Sequence, residues 1–166
     1  MTESGSQKKQ KILLLGPNGQ LGESLKNHLG KFHDLECADK KKFDFLNPAN
    51  FSDILKKSKP SLVINAAAYT NVEGAESNEN LANQINGEAL KYISSACETL
   101  DLTLLHFSTD YVFDGNKNMP YHEDDKPNPI SIYGNSKLLG EKIISNNMKN
   151  YMIFRTSGVI SKNTNN

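Results

Sequence analysis

Three glycines in a fixed frame constrain this chain more than any other feature. Lys11–Leu15 is a short apolar run that reads as a buried strand. It leads straight into Gly16-Pro-Asn-Gly19-Gln-Leu-Gly22, and a helical pattern with Leu21, Leu25 and Leu29 on one face follows. Strand, glycine loop and helix make the first βα unit of a dinucleotide-binding fold. Gly16 makes the sharp exit from the strand. Gly19, with no Cβ, lets a pyrophosphate approach the backbone. Gly22 lets the helix pack closely, and the helix N-terminus offers free N–H groups and a partial positive charge to the phosphates.

The rest of the chain alternates in the same way. A second strand spans Asp34–Asp39, a short helix Phe51–Lys57 and a third strand Ser61–Asn65. A long helix runs from Asn78 to Leu100 and a fourth strand from Leu102 to Phe107. A loop rich in Pro, Asp and Asn covers 114–130, a helix runs from Tyr133 to about Asn146, and Tyr151–Arg155 is a fifth strand. Apolar strands alternating with helices imply an α/β fold, with a doubly wound, Rossmann-like parallel sheet covered on both faces. Right-handed crossovers around the glycine loop predict the strand order 3-2-1-4-5, with strands 1 and 4 flanking the ligand crevice.

Composition excludes several partners. The 166 residues fit one domain, and 19 Lys and Arg balance 19 Asp and Glu, giving no net charge. With no basic stripe, neither nucleic acid nor an anionic membrane is an expected partner. No run is as long as a membrane span and no apolar leader opens the chain, so the expected location is cytoplasmic. Cys37 and Cys97 read as packed thiols, and the four histidines show no metal-ligand spacing. Residues 1–10, rich in Ser, Gly, Gln and Lys, read as a disordered tail ahead of a domain over 11–157.

The candidate chemistry lies near the C-terminal end. Tyr133 and Lys137 sit at i and i+4 on one helix face. A lysine cation beside a phenol favours the phenolate and lowers its pKa, which suits proton transfer in a carbonyl/alcohol reaction. The same two residues would equally serve as a boundary aromatic and a solvated cation. Ser108-Thr109-Asp110, at the end of strand 4, places hydroxyls beside the crevice, or else simply caps a turn. Asn65-Ala-Ala-Ala68, at the end of strand 3, leaves room for a flat ring and its ribose. Asp39 suits a ribose 2′-OH, whereas Lys40, Lys41 and Lys42 suit a 2′-phosphate, so the choice between NADH and NADPH stays open.

Taken in order, these motifs resemble the extended short-chain dehydrogenase/reductase superfamily. Within it, Gly16–Gly22, Asp44-Phe45, Asn65–Thr70, Ala75-Glu-Ser77, Ser108–Gly115, Tyr133–Glu141 and Phe154–Ser157 resemble the dTDP-4-dehydrorhamnose reductase family. The resemblance implies NADPH- or NADH-dependent reduction of the 4-keto group of a nucleotide-sugar, dTDP-4-dehydro-L-rhamnose. It implies Tyr133 as general acid, Lys137 as the residue lowering its pKa and binding the nicotinamide ribose, and Thr109 on the substrate carbonyl or the phenol. By the same resemblance Gly19, Gln20 and Leu21 meet the pyrophosphate. Asp39, Asp44 and Phe45 border the adenosine, and Ala67, Ala68 and Tyr69 contact the cofactor further along.

The family pattern also implies later strands and a sugar-gripping domain beyond Asn166. The expectation is therefore a truncated reductase, slow if active, with 158–166 as a polar end and strand 5 as an open edge. A homodimer or a second chain would then complete the fold. Gly158 stands where the family has tryptophan, and Gly74 where a basic residue is usual. The competing expectation is a non-catalytic nucleotide-binding or regulatory subunit, like that of methionine adenosyltransferase.

Overall fold

Five parallel strands form one sheet in the order β2-β1-β3-β4-β5. The computed structural model describes residues 9–160. Its strands are β1 Lys11–Leu15, β2 Asp34–Ala38, β3 Leu62–Asn65, β4 Thr103–Thr109 and β5 Tyr151–Thr156. Helices α1 Gln20–Leu29, α2 Phe51–Ser58, α3 Val72–Ser77, α4 Glu79–Asn83, α5 Ala89–Thr99 and α6 Ile132–Asn147 connect them. The expectations for the tail at 1–10 and the end at 158–166 fall mostly outside the described residues.

The expected order 3-2-1-4-5 is corrected. β1 pairs with both β2 and β3, so the sheet changes direction between β1 and β3. Side-chain polarity explains why. β2 carries Asp34 and Glu36, and four of its five residues keep some exposure, which suits an edge. β3 is Leu-Val-Ile-Asn, with Val63, Ile64 and Asn65 all buried, which suits the interior.

Alternation along β1 supplies two cores. Leu13 and Leu15 point to one face, where Phe51 and Leu55 of α2, Leu90, Ile93 and Cys97 of α5, and Ile144 of α6 pack. Ile12 and Leu14 point to the other face, against Leu25 and Leu29 of α1. At about 1.5–3 kcal/mol per fully buried side chain, these two sets hold the sheet between its helices. Among the described residues, only α1 covers the second face. The expected cover on both faces is therefore partial: on β5, Met152 and Phe154 remain 44% and 47% exposed, and Phe154 stacks on Phe107 at 5.9 Å. Burial pushes the Cys97 thiol up to about 12.

The expected helix from Asn78 to Leu100 is interrupted. Between α4 and α5, residues Gln84–Glu88 form a π-helical stretch. Such bulges turn a side chain out of its regular position and are frequent at functional sites. Here the bulge carries the buried Asn86. Ser131 caps the start of α6, its hydroxyl accepting the Gly134 N–H at 3.0 Å. That cap fixes where the first turn, with Tyr133, faces.

Candidate active site

The glycine loop has the geometry its sequence implies at two of its three glycines. Gly16 has φ +73°, and a Cβ there would lie 2.7 Å from the Ala67 backbone. A Cβ on Gly22 would lie 1.9 Å from the Gly16 carbonyl oxygen, so Gly22 lets the helix approach its own loop. Gly19 differs: a Cβ there meets only the Gly16 oxygen, at an ordinary 3.8 Å. Internal packing does not require glycine at this position, so the space beside it is available to a ligand. Gly19 also heads α1 with no side-chain cap, leaving the first-turn N–H groups open.

A cleft of about 260 Å³ opens against this loop. Gly16, Gly19, Asp39, Asp44, Phe45, Ala67 and Ala68 line it, so seven residues expected from sequence meet at one site. Gln20, Leu21, Gly22 and Tyr69 do not line it. Pro17, Asn18, Phe43, Leu46 and Ile85 do, and sequence reasoning missed them. Of the three lysines, only Lys40 lines the cleft, while Lys42 is drawn to Glu36. Asp39 accepts the N–H groups of Lys41 and Lys42, each at 3.1 Å, and both bonds fall on Oδ1. The Leu46 N–H, 3.0 Å from Asp44, holds that carboxyl below the usual carboxylate range. Phe45 rests on Phe43 at 4.9 Å, giving the cleft an aromatic wall.

The residues present fit a dinucleotide. Gln20 Nε2 is buried without a hydrogen-bond partner at the head of α1, next to the uncapped N–H groups. An unpaired buried donor beside a helix N-terminus is suited to an anionic oxygen. Asp39 and Lys40 together offer both an acceptor for a ribose hydroxyl and a cation for a phosphate.

Thr109, Tyr133 and Lys137 stand at the C-terminal end of β4 and the start of α6. Thr109 is buried, and its Oγ1 accepts the Tyr111 N–H at 3.2 Å, turning the chain into the next segment. Tyr133 is half-buried, with Tyr111 edge-on at 5.6 Å. Burial raises the phenol above its ordinary range, against an opposing pull from the Thr109 hydroxyl, while Asp110 and Tyr111 add to the rise. Lys137 is 2% exposed, and its Nζ donates to the Phe107 carbonyl at 2.7 Å and meets His106 Nε2 at 3.3 Å. Burial brings the lysine itself down to about 8.

Three supports were not legible as functional residues. Asn86, on the π-helical stretch, accepts the Tyr69 N–H at 2.8 Å and donates to the Tyr69 carbonyl at 3.0 Å and to Ser136 at 2.9 Å. It thereby ties the loop after β3 to α6. Glu141 takes the Arg155 guanidinium in a fork, at 3.0 and 2.8 Å, and the Ser108 hydroxyl at 2.5 Å. It fastens β5 and β4 to the same helix. His106 is the third. Among the described residues, no three His, Cys, Asp or Glu side chains gather to hold a metal ion, and no helix is long and apolar enough to cross a membrane.

Comparison with known proteins places this arrangement. The family model described as RmlD substrate binding domain matches residues 10–166. The chain belongs to this family. It is similar to the dTDP-4-dehydrorhamnose reductase of Salmonella typhimurium, 38% identical over 159 residues, covering 93% of this chain and 53% of that protein. It is also similar to that of Burkholderia thailandensis, 39% identical over 151 residues, covering 91% and 51%. The crystal structure of the Bacillus anthracis dTDP-4-dehydrorhamnose reductase, in complex with NADP, superposes with a TM-score of 0.91 at 36% identity, over 95% of this chain and 57% of that one. This RmlD-family chain thus spans about half the length of the curated relatives it matches.

Proposed function

We propose that this chain carries the cofactor-binding and proton-donating half of an NADPH- or NADH-dependent reductase. Its substrate is the 4-keto group of dTDP-4-dehydro-L-rhamnose, and its product is dTDP-L-rhamnose. One observation carries the reading: a cleft against the glycine loop and a Thr109–Tyr133–Lys137 group share the loop ends of one parallel sheet. The likeness to the Salmonella and Burkholderia dTDP-4-dehydrorhamnose reductases and the NADP bound to the Bacillus protein support it.

The chain's own residues have defined tasks. Gly19 and the uncapped N–H groups of α1 receive the pyrophosphate. Asp39 and Lys40 meet the adenosine ribose. When bound, the reduced nicotinamide supplies the hydride. Tyr133 holds a proton on its phenol oxygen at neutral pH, as an ordinary phenol does, and burial reinforces this. It can therefore deliver that proton to the oxygen that leaves the reaction as a hydroxyl. Thr109, buried beside the phenol, orients the same oxygen.

The test is oxidation of NADPH by the purified chain with dTDP-4-dehydro-L-rhamnose, run beside Tyr133→Phe. The expected result is slow oxidation that drops by about 10²–10⁴-fold in the variant. Cofactor binding with no Tyr133-dependent oxidation would turn the reading to a non-catalytic nucleotide-binding subunit.

A further inference from the structure

Register places Asn65 of β3 beside His106 of β4, and both side chains are 1% exposed. Four contacts join them into one line. The Ala67 N–H meets Asn65 Oδ1 at 3.1 Å. Asn65 Nδ2 meets His106 Nδ1 at 3.0 Å. His106 Nε2 meets Lys137 Nζ at 3.3 Å, and Nζ reaches the Phe107 carbonyl at 2.7 Å.

The direction of the line follows from its fixed end. A backbone N–H only donates, so the Asn65 atom facing Ala67 is the carbonyl oxygen. Its NH2 must then face the ring, and an NH2 also only donates. His106 Nδ1 is therefore an acceptor and carries no proton. A neutral imidazole has one N–H, which here is on Nε2, directed at Lys137. An ammonium has three donors and no acceptor, so it meets this N–H badly, whereas an amine offers a lone pair.

We propose that Asn65 and His106 are positioning residues for Lys137: the one-way hydrogen-bond line from the Ala67 N–H makes His106 donate to Nζ and selects the amine over the ammonium. The proposal extends the reading of Tyr133 and Lys137 as a proton-transfer pair, and rests on that reading only for its catalytic consequence. It gives the cofactor loop a physical connection to the lysine, because Ala67 lines the cleft. The charged groups around Lys137 leave the argument intact. Glu141, one turn along α6, favours the ammonium, but Arg155 of β5 and Ser108 of β4 already engage it. Tyr133, one turn back, has Asp110 and Tyr111 beside it. Burial keeps His106 neutral, far below its ordinary range.

The test needs neither cofactor nor substrate, so its failure is separate from failure of the reductase reading. In the labelled full chain, long-range ¹H–¹⁵N spectra report which ring nitrogen of His106 is protonated, and ¹³C spectra follow Lys137 against pH. The expected wild-type ring carries its proton on Nε2 above about pH 8, where Lys137 is the amine. Asn65→Asp replaces the NH2 by an acceptor. The proton should move to Nδ1, and the Lys137 midpoint should move up by about one pH unit or more, to a tenfold lower proton concentration. A wild-type ring protonated on Nδ1 or on both nitrogens would overturn the proposal, as would an Asn65→Asp ring still protonated on Nε2. Should the variant not fold, the wild-type spectrum decides alone.

Discussion

Replacing Lys137 by methionine should remove a specific pH dependence of stability. The lysine is 2% exposed, and burial takes it from an ordinary 10.5 to about 8. Between those values the unfolded chain binds a proton that the folded chain has released. Stability therefore rises with pH across that window, and below about pH 8 the full cost of burying the ammonium is present. At about 1.4 kcal/mol per pH unit, the window is worth about 3 kcal/mol. Methionine fills much the same space without a charge. It leaves the His106 N–H and the Phe107 carbonyl unpaired, a roughly pH-independent cost of about 1–3 kcal/mol. The assay is urea unfolding of both proteins from about pH 7.5 to 10.5. Lysines and tyrosines common to both cancel in the difference. Relative to the variant, the wild type should gain about 3 kcal/mol as pH rises. Parallel stability curves would refute the assignment of Lys137 as a buried, depressed base.

Other substitutions test the supports. Glu141→Leu strands the Arg155 guanidinium, whose side chain is 23% exposed, and should destabilise the fold by about 3 kcal/mol in urea. Asn86→Ala unties Tyr69 and Ser136 and should cost about 2–4 kcal/mol while loosening the loop after β3, visible as faster amide exchange at Ala67–Tyr69. Gly22→Ala drives a Cβ into the Gly16 oxygen and should cost about 1–3 kcal/mol together with most of the cofactor affinity measured by calorimetry. His106, neutral when folded, should make stability fall as pH drops below about 6.5, and His106→Gln should flatten that limb of the curve.

What the sequence made legible was local. The glycine loop is a run of seven residues whose roles follow from backbone sterics alone, and Gly16 and Gly22 have that geometry. The Tyr133–Lys137 spacing is likewise a property of one helix. Strand order is not local. The exposure pattern of β2 and the burial of β3 decide it, and Asp34 and Glu36 were the available signal. The environment of Lys137 was hidden for the same reason. His106 lies far from it in sequence; the β3–β4 register sets Asn65 beside His106, and α6 brings Lys137 against that pair. The π-helical stretch at Gln84–Glu88 leaves no mark in apolar periodicity, so Asn86 reads simply as one more polar residue on a helix.

The central claim is that the glycine loop binds a reduced nicotinamide dinucleotide. Titration calorimetry of the chain with NADPH and NADH, beside Gly19→Asp, tests it most directly. A Cβ at Gly19 meets nothing closer than 3.8 Å, so the variant should keep the fold while placing a carboxylate where the pyrophosphate must lie. The account predicts saturable binding to the wild type that is lost in the variant. A folded wild type that binds neither nucleotide, or a variant that binds equally well, would contradict it.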